Sequence, residues 1–349
     1  MTTPTESSPS AASIHDLSKS DLAAFCASAG FPSFRADQVW RWLYHQWVPD
    51  WDAMRNVPAA LRAALAERFR LDAVTLTDVA VDAGGTRKVL VALRDGERVE
   101  AVLIPARGRR TVCISCQVGC RFACAFCASG QAGFRRQLAP GEMVGQVLVA
   151  ARLLGERPSH VVFMGIGEPL DNVEAVVKAA RLLNDADGLS IGARRITIST
   201  CGVIPGIERL AGEGVQFELS VSLHAPDDAL RSRLMPVNRR YPLAELLAAC
   251  DAYARRTGRI VTFEYTLIRG VNDRPEHAAA LARRLAPLPC RVNLIPLSEV
   301  AEFGAVSSPA ETAEAFAAVL ARHGINATLR HSKGSAVQAA CGQLRYRAP

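Results

Sequence analysis

Five of the chain's ten cysteines fall within the fifteen residues from Cys113 to Cys127, in the order C-I-S-C-Q-V-G-C-R-F-A-C-A-F-C. A structural core has no need of thiols at that density. Cys120, Cys124 and Cys127 form C-x3-C-x2-C, and three thiolates on one short loop can hold three irons of a [4Fe-4S] cubane, where an electron-carrying cluster takes four. The fourth iron is then open to the amino and carboxylate groups of S-adenosylmethionine (SAM), whose sulfonium an electron from the cluster can split. Two other chemistries compete for these cysteines. Zinc prefers two C-x2-C knuckles separated by a longer loop, and Cys113/Cys116 and Cys124/Cys127 lie too close together for that. Disulfides belong to oxidising compartments, and nothing in the sequence marks secretion.

Such a loop needs a frame, and the chain is long enough to supply one. Its 349 residues, 49% hydrophobic and 6% aromatic, suit one large α/β domain plus a smaller one. The first twenty residues lack a basic start followed by an apolar run, so no signal peptide is expected. Arg, Asp or Glu interrupts every apolar stretch, which predicts no membrane span and a reducing, cytoplasmic setting that suits thiolate ligands. Lys plus Arg exceed Asp plus Glu by 41 to 34, a net charge of +7. An anionic partner such as nucleic acid is therefore plausible, although 37 of those cations are Arg and the bias can come from base composition alone.

Residues 1 to about 18 read as disordered. From Leu17 to about Leu71 the pattern is helical: Trp40, Leu43, Tyr44 and Trp47 share one face, Pro49 ends that helix, and Leu61, Leu65 and Phe69 mark the next. The aromatic stripe reads as packing inside a small helical unit rather than as rings that stack on bases. Between Val74 and Pro105 the period changes to two, and Asp95-Gly96 predicts a hairpin turn. Glu100 shares a face of the second strand with Val102 and Ile104. Buried there, a carboxyl would have a raised pKa and suit proton transfer.

Beyond the cysteines, strands at 161–164, 195–200, 217–223, 260–267, 292–295 and 327–330 alternate with helices at about 142–154, 172–184, 204–212, 243–256, 276–286 and 310–322. That series implies a parallel sheet, doubly wound or a barrel. The strand ends are polar: Gly167-Glu168-Pro169, Ser199-Thr200 and Ser222-Leu223-His224. Taken singly, the glycines could make a turn, Ser199 and Thr200 could cap a helix, and His224 could be a satisfied loop histidine. Together, beyond successive strands, they could line a pocket for the ribose, adenine and methionyl amine of SAM. Cys341, in the small-residue loop A-A-C-G-Q-L, is not packed like a core thiol.

The cysteine spacing, with Phe126 before the last Cys, resembles the radical SAM superfamily. The stretch from about Gly30 to Leu344 resembles the RlmN/Cfr family of radical SAM adenosine C-methyltransferases, and its RlmN branch in particular. Phe34-Arg35-Ala36-Asp37-Gln38 resembles the family's N-terminal domain. Thr111-Val112-Cys113, Gln117-Val118-Gly119-Cys120 and Gln131-Ala132-Gly133-Phe134 resemble its cluster loop. Met164 to Pro169, Ser220 to Pro226, Asn293-Leu294-Ile295-Pro296 and Ala339 to Leu344 resemble its later motifs. The resemblance implies a partial (β/α)6 barrel over 106–349, a β-hairpin extension over 74–105, a helical RNA-binding accessory domain over 19–73 and a disordered segment over 1–18.

The same resemblance implies a mechanism. One SAM methylates Cys341, and a second, bound at the cluster held by Cys120, Cys124 and Cys127, yields an adenosyl radical that takes hydrogen from the S-methyl group. The carbon radical adds to carbon 2 of adenine. Glu100 matches a proton acceptor, and Cys113 the thiol that releases product through a transient disulfide. Gly167, Glu168, Ser199, Ser222, Leu223 and His224 match SAM-binding positions. Ser298 stands where members usually carry Asn, so that contact is shortened or lost. Ala336-Val337 replace the usual Asp-Ile, Cys116 stands where Ser is common, and no longer basic tail follows Pro349. The implied substrate is large-subunit (23S) ribosomal RNA, with transfer RNA a further candidate. The implied electron donor is of the flavodoxin type, and the chain would act as a monomer. Methylation at carbon 8 and a non-catalytic metal-binding RNA protein are the rival readings.

Overall fold

The computed structural model describes residues 12–131, 133–330 and 333–345. Residues 1–11 of the segment expected to be disordered, Ala132, the pair His331 and Ser332, and the tail from Tyr346 to Pro349 lie outside the described residues. Ten strands form one sheet: β1 Thr75–Val81, β2 Arg87–Ala92, β3 Arg98–Ala106, β4 Arg109–Cys113, β5 His160–Phe163, β6 Ile196–Thr200, β7 Glu218–Ser222, β8 Val261–Leu267, β9 Cys290–Pro296 and β10 Asn326–Leu329. Each is hydrogen-bonded to its neighbours in sequence. β1 to β4 run antiparallel as a meander, and β4 to β10 are all parallel.

This strand order decides between the two parallel architectures that the βα pattern left open, and agrees with the partial (β/α)6 barrel that the resemblance implied. A doubly wound sheet reverses direction at a switch point, whereas here every connection steps the same way, through helices Pro140–Leu154, Val173–Asn184, Ile204–Ala211, Leu243–Thr257, Pro275–Leu285 and Ala310–Arg322. Six βα units result, and β1 and β10 stay unpaired with each other, so the barrel is partial. The C-terminal segment spans the gap. Lys333 Nζ donates to the Pro105 carbonyl at 3.0 Å, and the Arg345 N–H to the Glu100 carboxylate at 2.9 Å.

Alternation along the strands puts Val161, Ile198, Leu219, Val221, Phe263, Tyr265, Val292 and Leu294 against the helices, all essentially inaccessible. The opposite face carries Thr197, Ser199, Ser220, Ser222, Thr262, Glu264, Thr266, Arg291 and Asn293. A closed barrel fills that interior with branched apolar side chains; this polar lining is that of an open lumen.

The N-terminal unit packs helices Lys19–Ser28, Arg35–Tyr44 and Ala59–Arg68. Trp40, Leu43 and Tyr44 are buried, as expected of a packing stripe. Trp40 Nε1–H donates to Asp185 at 3.2 Å and Arg152 Nε–H to the Trp47 carbonyl at 2.8 Å, seating the unit on the barrel's first helices. Two expectations are corrected. The second helix ends at Tyr44, not at Pro49, because Trp47 turns into the left-handed region at φ +48°. Residues 12–18 are ordered: Ala12–Ser13 pair in parallel with Phe69–Arg70, and Ser18 caps the first helix in a capping box with Asp21.

Candidate active site

The cysteine loop leaves the end of β4 at Cys113. Gln117–Gly119 and Phe134–Gln137 pair antiparallel and close the loop at its neck. Gln146, inside the Pro140–Leu154 helix, fixes its start: its side-chain carbonyl accepts the Ser115 N–H at 2.8 Å, and its amide donates to the Ser115 carbonyl at 3.0 Å. Inside the loop, the Ala125 N–H donates to the Leu234 carbonyl at 2.9 Å. Burial pushes the Cys120 thiol up to about 12 and the Cys124 thiol well above its ordinary value, and each also feels other thiols of the triad. Among the described residues no three His, Cys, Asp or Glu side chains are spaced to share a single metal ion. A cubane asks for something else, one thiolate on each of three separate irons, and three mutually close half-buried thiols on one loop are a donor set of that kind.

The C-terminal segment docks directly on this loop. The Ala128 N–H donates to the Gly342 carbonyl at 2.7 Å, and Ser129 Oγ to the Leu344 carbonyl at 2.7 Å. Cys341 is thereby brought beside Cys127, Cys113 and Glu264, whose charges all act on it or it on them. Its side chain is exposed, and desolvation against its neighbours, with the Glu264 carboxylate adding to the effect, raises the thiol. Cys113 is buried, and burial drives its thiol far up. Both thiols are free.

Glu100 lies on β3, 3% exposed. Lys88 Nζ sits 3.2 Å from its carboxylate. The sequence reading missed this partner, although the hairpin register, which pairs Leu90 with Glu100, places Lys88 one diagonal step away. The Glu100 backbone carbonyl also accepts from Ser115 Oγ at 2.6 Å, so β3 is tied to the cysteine loop.

The other predicted residues converge on the strand ends. Gly167, at φ +108°, passes so close to the cysteine loop that a Cβ would lie 2.6 Å from that of Gln117. Glu168 is buried, accepting the N–H groups of Leu170 at 3.0 Å and Cys201 at 2.7 Å, and burial raises its carboxyl. Ser199 Oγ donates to the Phe163 carbonyl at 2.6 Å. Thr200 does not cap the following helix as foreseen: that helix starts at Ile204 with no side-chain cap, and the Thr200 hydroxyl instead accepts from the N–H groups of Gly202 and Val203 in the turn before it. His224 is buried at φ +55°, its Nδ1 accepting the Thr266 N–H at 2.9 Å, so a single proton belongs on Nε2. Burial brings its pKa down to about 3, and its ring stands edge-on to Phe126 at 4.6 Å. Thus the strand end that carries His224 touches the cysteine loop. The Ser298 hydroxyl is buried without a partner.

Sequence reasoning passed over Glu264 and Arg231. Glu264, on β8, takes hydrogen bonds from Ser220 Oγ at 2.7 Å and Asn293 Nδ2 at 3.0 Å; a lone acid in the middle of an apolar strand was the available signal. Arg231 is fully buried, and nothing in the pattern around it distinguishes it from a surface arginine.

Comparison with known proteins places this geometry. The sequence matches the radical SAM superfamily over residues 114–282 and the ribosomal RNA large subunit methyltransferase N-terminal domain over residues 12–71. A probable dual-specificity RNA methyltransferase RlmN from Geobacillus kaustophilus is 44% identical, with 97% of this chain and 94% of that one aligned. The chain belongs to the RlmN family of radical SAM methyltransferases. The Symbiobacterium thermophilum RlmN is 48% identical over 95% of this chain and 91% of its own. A crystal structure of a radical SAM methyltransferase from Sphaerobacter thermophilus superposes with a TM-score of 0.93 at 46% identity, covering 97% of this chain and 100% of that one. As a radical SAM enzyme, an RlmN-family chain works with a [4Fe-4S] cluster and SAM, and two features here fit them: three thiol donors on one loop, and an unsatisfied hydroxyl at Ser298 beyond the strand ends.

Proposed function

We propose that this chain methylates carbon 2 of adenosine in large-subunit ribosomal RNA and in transfer RNA. The observation that carries the reading is the docking of the Cys341 loop onto the cysteine loop, beside Cys113 and Glu100. Carbon 2 of adenine is neither nucleophilic nor readily deprotonated, so simple methyl-cation transfer is closed to it. A cluster with SAM supplies, when bound, hydrogen abstraction from an unactivated C–H bond. Cys120, Cys124 and Cys127 would hold the cluster. Gly167, Glu168, Ser199, Ser222, Leu223, His224 and Ser298 would hold SAM, with Nε2–H of neutral His224 as a donor that burial keeps from becoming a cation.

The chain's own groups do the rest. The accessible Cys341 sulfur takes the methyl group and presents it over the lumen. Glu100, a carboxylate charge-balanced by Lys88, accepts the proton that leaves the nucleoside carbon. Cys113 is the second thiol: as a thiolate it attacks the Cys341 sulfur to form a disulfide, the S–C bond to the base breaks with its electron pair passing to the base, and the freed carbon takes a proton to become the methyl group. Burial of Cys113 suits this order of events, since an inaccessible thiol does not compete for the methyl group.

Residues 19–73 we assign to gripping RNA, the protein working as a cytoplasmic monomer served by a flavodoxin-type donor. Among the described residues no helix is long and apolar enough to cross a membrane, and RNA affinity should fall steeply with salt. Nucleoside mass spectrometry of ribosomal and transfer RNA incubated with reduced enzyme and SAM tests the reading. 2-Methyladenosine is expected; 8-methyladenosine, or neither product, overturns it.

A further inference from the structure

Arg231 is a buried cation that, among the described residues, makes no direct hydrogen bond or ion pair to an anion. It lies on the short helix Asp228–Leu234 and is 0% exposed. Nε–H donates to the Leu223 carbonyl at 3.2 Å, Nη1 to Asn238 Oδ1 at 2.9 Å, and Nη2 to the carbonyls of Cys201 at 2.7 Å and Ser222 at 3.0 Å. Every acceptor is neutral. Of the nearby acids, Asp227 Oδ1 accepts the Leu230 N–H, and Asp228 acts on Arg231 only from a distance, its Oδ1 accepting from Leu243 and from Asn238, whose own Oδ1 accepts from Arg231. An unpaired guanidinium in the interior is costly, and carbonyl dipoles alone repay only part of that cost.

The missing anion has an obvious place. The helix that carries Arg231 touches the cysteine loop through the bond from Ala125 N–H to the Leu234 carbonyl, between Cys124 and Cys127. The guanidinium also fills the space beside Gly202, where a Cβ would lie 3.1 Å from Nη2, so its position is fixed by packing as well as by hydrogen bonds.

We infer that Arg231 is the built-in counter-charge of the metal centre held by the cysteine loop, and that it sets how readily that centre accepts an electron. The inference rests on the assignment of Cys120, Cys124 and Cys127 as ligands. Three thiolates give the centre net negative charge, and reduction adds one more. A fixed cation in low dielectric stabilises the reduced state more than the oxidised one, because the charge it faces has grown. SAM cleavage needs that electron, so Arg231 would act on the chemistry without touching substrate: a positioning residue that works through the potential.

The competing role is mechanical, a clamp on three strand-end carbonyls. Arg231→Lys keeps the charge and loses most of the clamp; Arg231→Gln keeps part of the clamp and loses the charge. The full-length protein is reconstituted anaerobically, assayed for iron and sulfide, and titrated potentiometrically with EPR detection, without RNA or SAM. R231Q should lower the reduction equilibrium by about tenfold, ~59 mV for a one-electron couple, and R231K by less than about twofold on the same scale. R231Q titrating as wild type, or both variants shifting alike, overturns the inference. Should R231Q fold, by circular dichroism, without retaining iron, loading of R231K decides: R231K that loads supports the counter-charge, and R231K equally empty refutes it. Thermal unfolding gives a second readout, since loss of the charge should cost more stability in the loaded than in the metal-free chain, and equal losses speak for the clamp. Failure of the ligand assignment looks different: wild type would bind no iron, or Cys124→Ala would bind as much as wild type.

Discussion

The backbone N–H of Ala128 donates to the carbonyl of Gly342 across 2.7 Å, joining two residues more than two hundred positions apart. Ala128 follows the last thiol of the cysteine loop, and Gly342 follows Cys341. In the proposed scheme this hydrogen bond sets how the methyl-carrying Cys341 sulfur would stand toward Cys120, Cys124 and Cys127. Gly342, at φ +84°, allows this approach, and a Cβ there would lie 3.0 Å from the Phe126 carbonyl. Gly342→Ala should lower methylation about 10-fold or more, since a misplacement of ~1 Å can cost about 100-fold, while iron content stays at the wild-type level. Iron lost in parallel with activity would count against a purely positional effect.

The two-thiol scheme separates Cys113 from Cys341. Cys113→Ala should permit addition to RNA but not release, so protein covalently joined to RNA accumulates and is seen as a nuclease-sensitive mobility shift on denaturing gels. Cys341→Ala should give no adduct at all. Equal behaviour of the two variants would refute the assigned roles.

Ser298 offers a test in which binding and stability move in opposite directions. Its hydroxyl is buried and unpartnered in the unliganded chain, a state that costs about 1–3 kcal/mol. Ser298→Ala should therefore leave the melting temperature of the metal-free protein unchanged or raise it. If the hydroxyl serves SAM, its loss should weaken SAM binding about 2- to 12-fold, ~0.5–1.5 kcal/mol, as read by calorimetry on the reconstituted protein. Unchanged affinity would remove Ser298 from the SAM site.

Acid should unfold this protein early. Burial depresses the pKa of His224 to about 3 and, with the Arg152 charge adding to it, that of His15 to about 4, against an ordinary 6.5. Both take up protons more readily when unfolded, so their contribution is full above pH 6.5 and is lost as pH falls toward those values. The slope approaches ~1.4 kcal/mol per pH unit for each. Glu168 and Glu264, whose carboxyls burial raises, act in the opposite sense above pH 4.5. Melting temperatures between pH 7.5 and 5 should fall less steeply for His15→Leu than for wild type. Parallel profiles would show that His15 does not titrate with unfolding.

The amino-acid order by itself pointed to the radical SAM class and to the class of frame. C-x3-C-x2-C could be read as a cluster motif because ligand spacing on a short loop is a local property. The βα alternation is legible for a similar reason, since a change of hydrophobic period needs only neighbours along the chain. Even the buried face of β3 with Glu100 could be read, although its partner Lys88 required a register. Three things belonged to the tertiary structure. The uniform strand order chose an open barrel over a doubly wound sheet. The return of the chain from Lys333 to Arg345 across the gap brought Cys341 to Cys127 and Cys113. The folding of one helix beneath the cysteine loop turned Arg231, one of 37 arginines, into an interior charge. Each depends on contacts between residues distant in sequence, whose energies come from enclosure and from dipoles aimed at a shared point, and no local pattern along the chain encodes where that point will be.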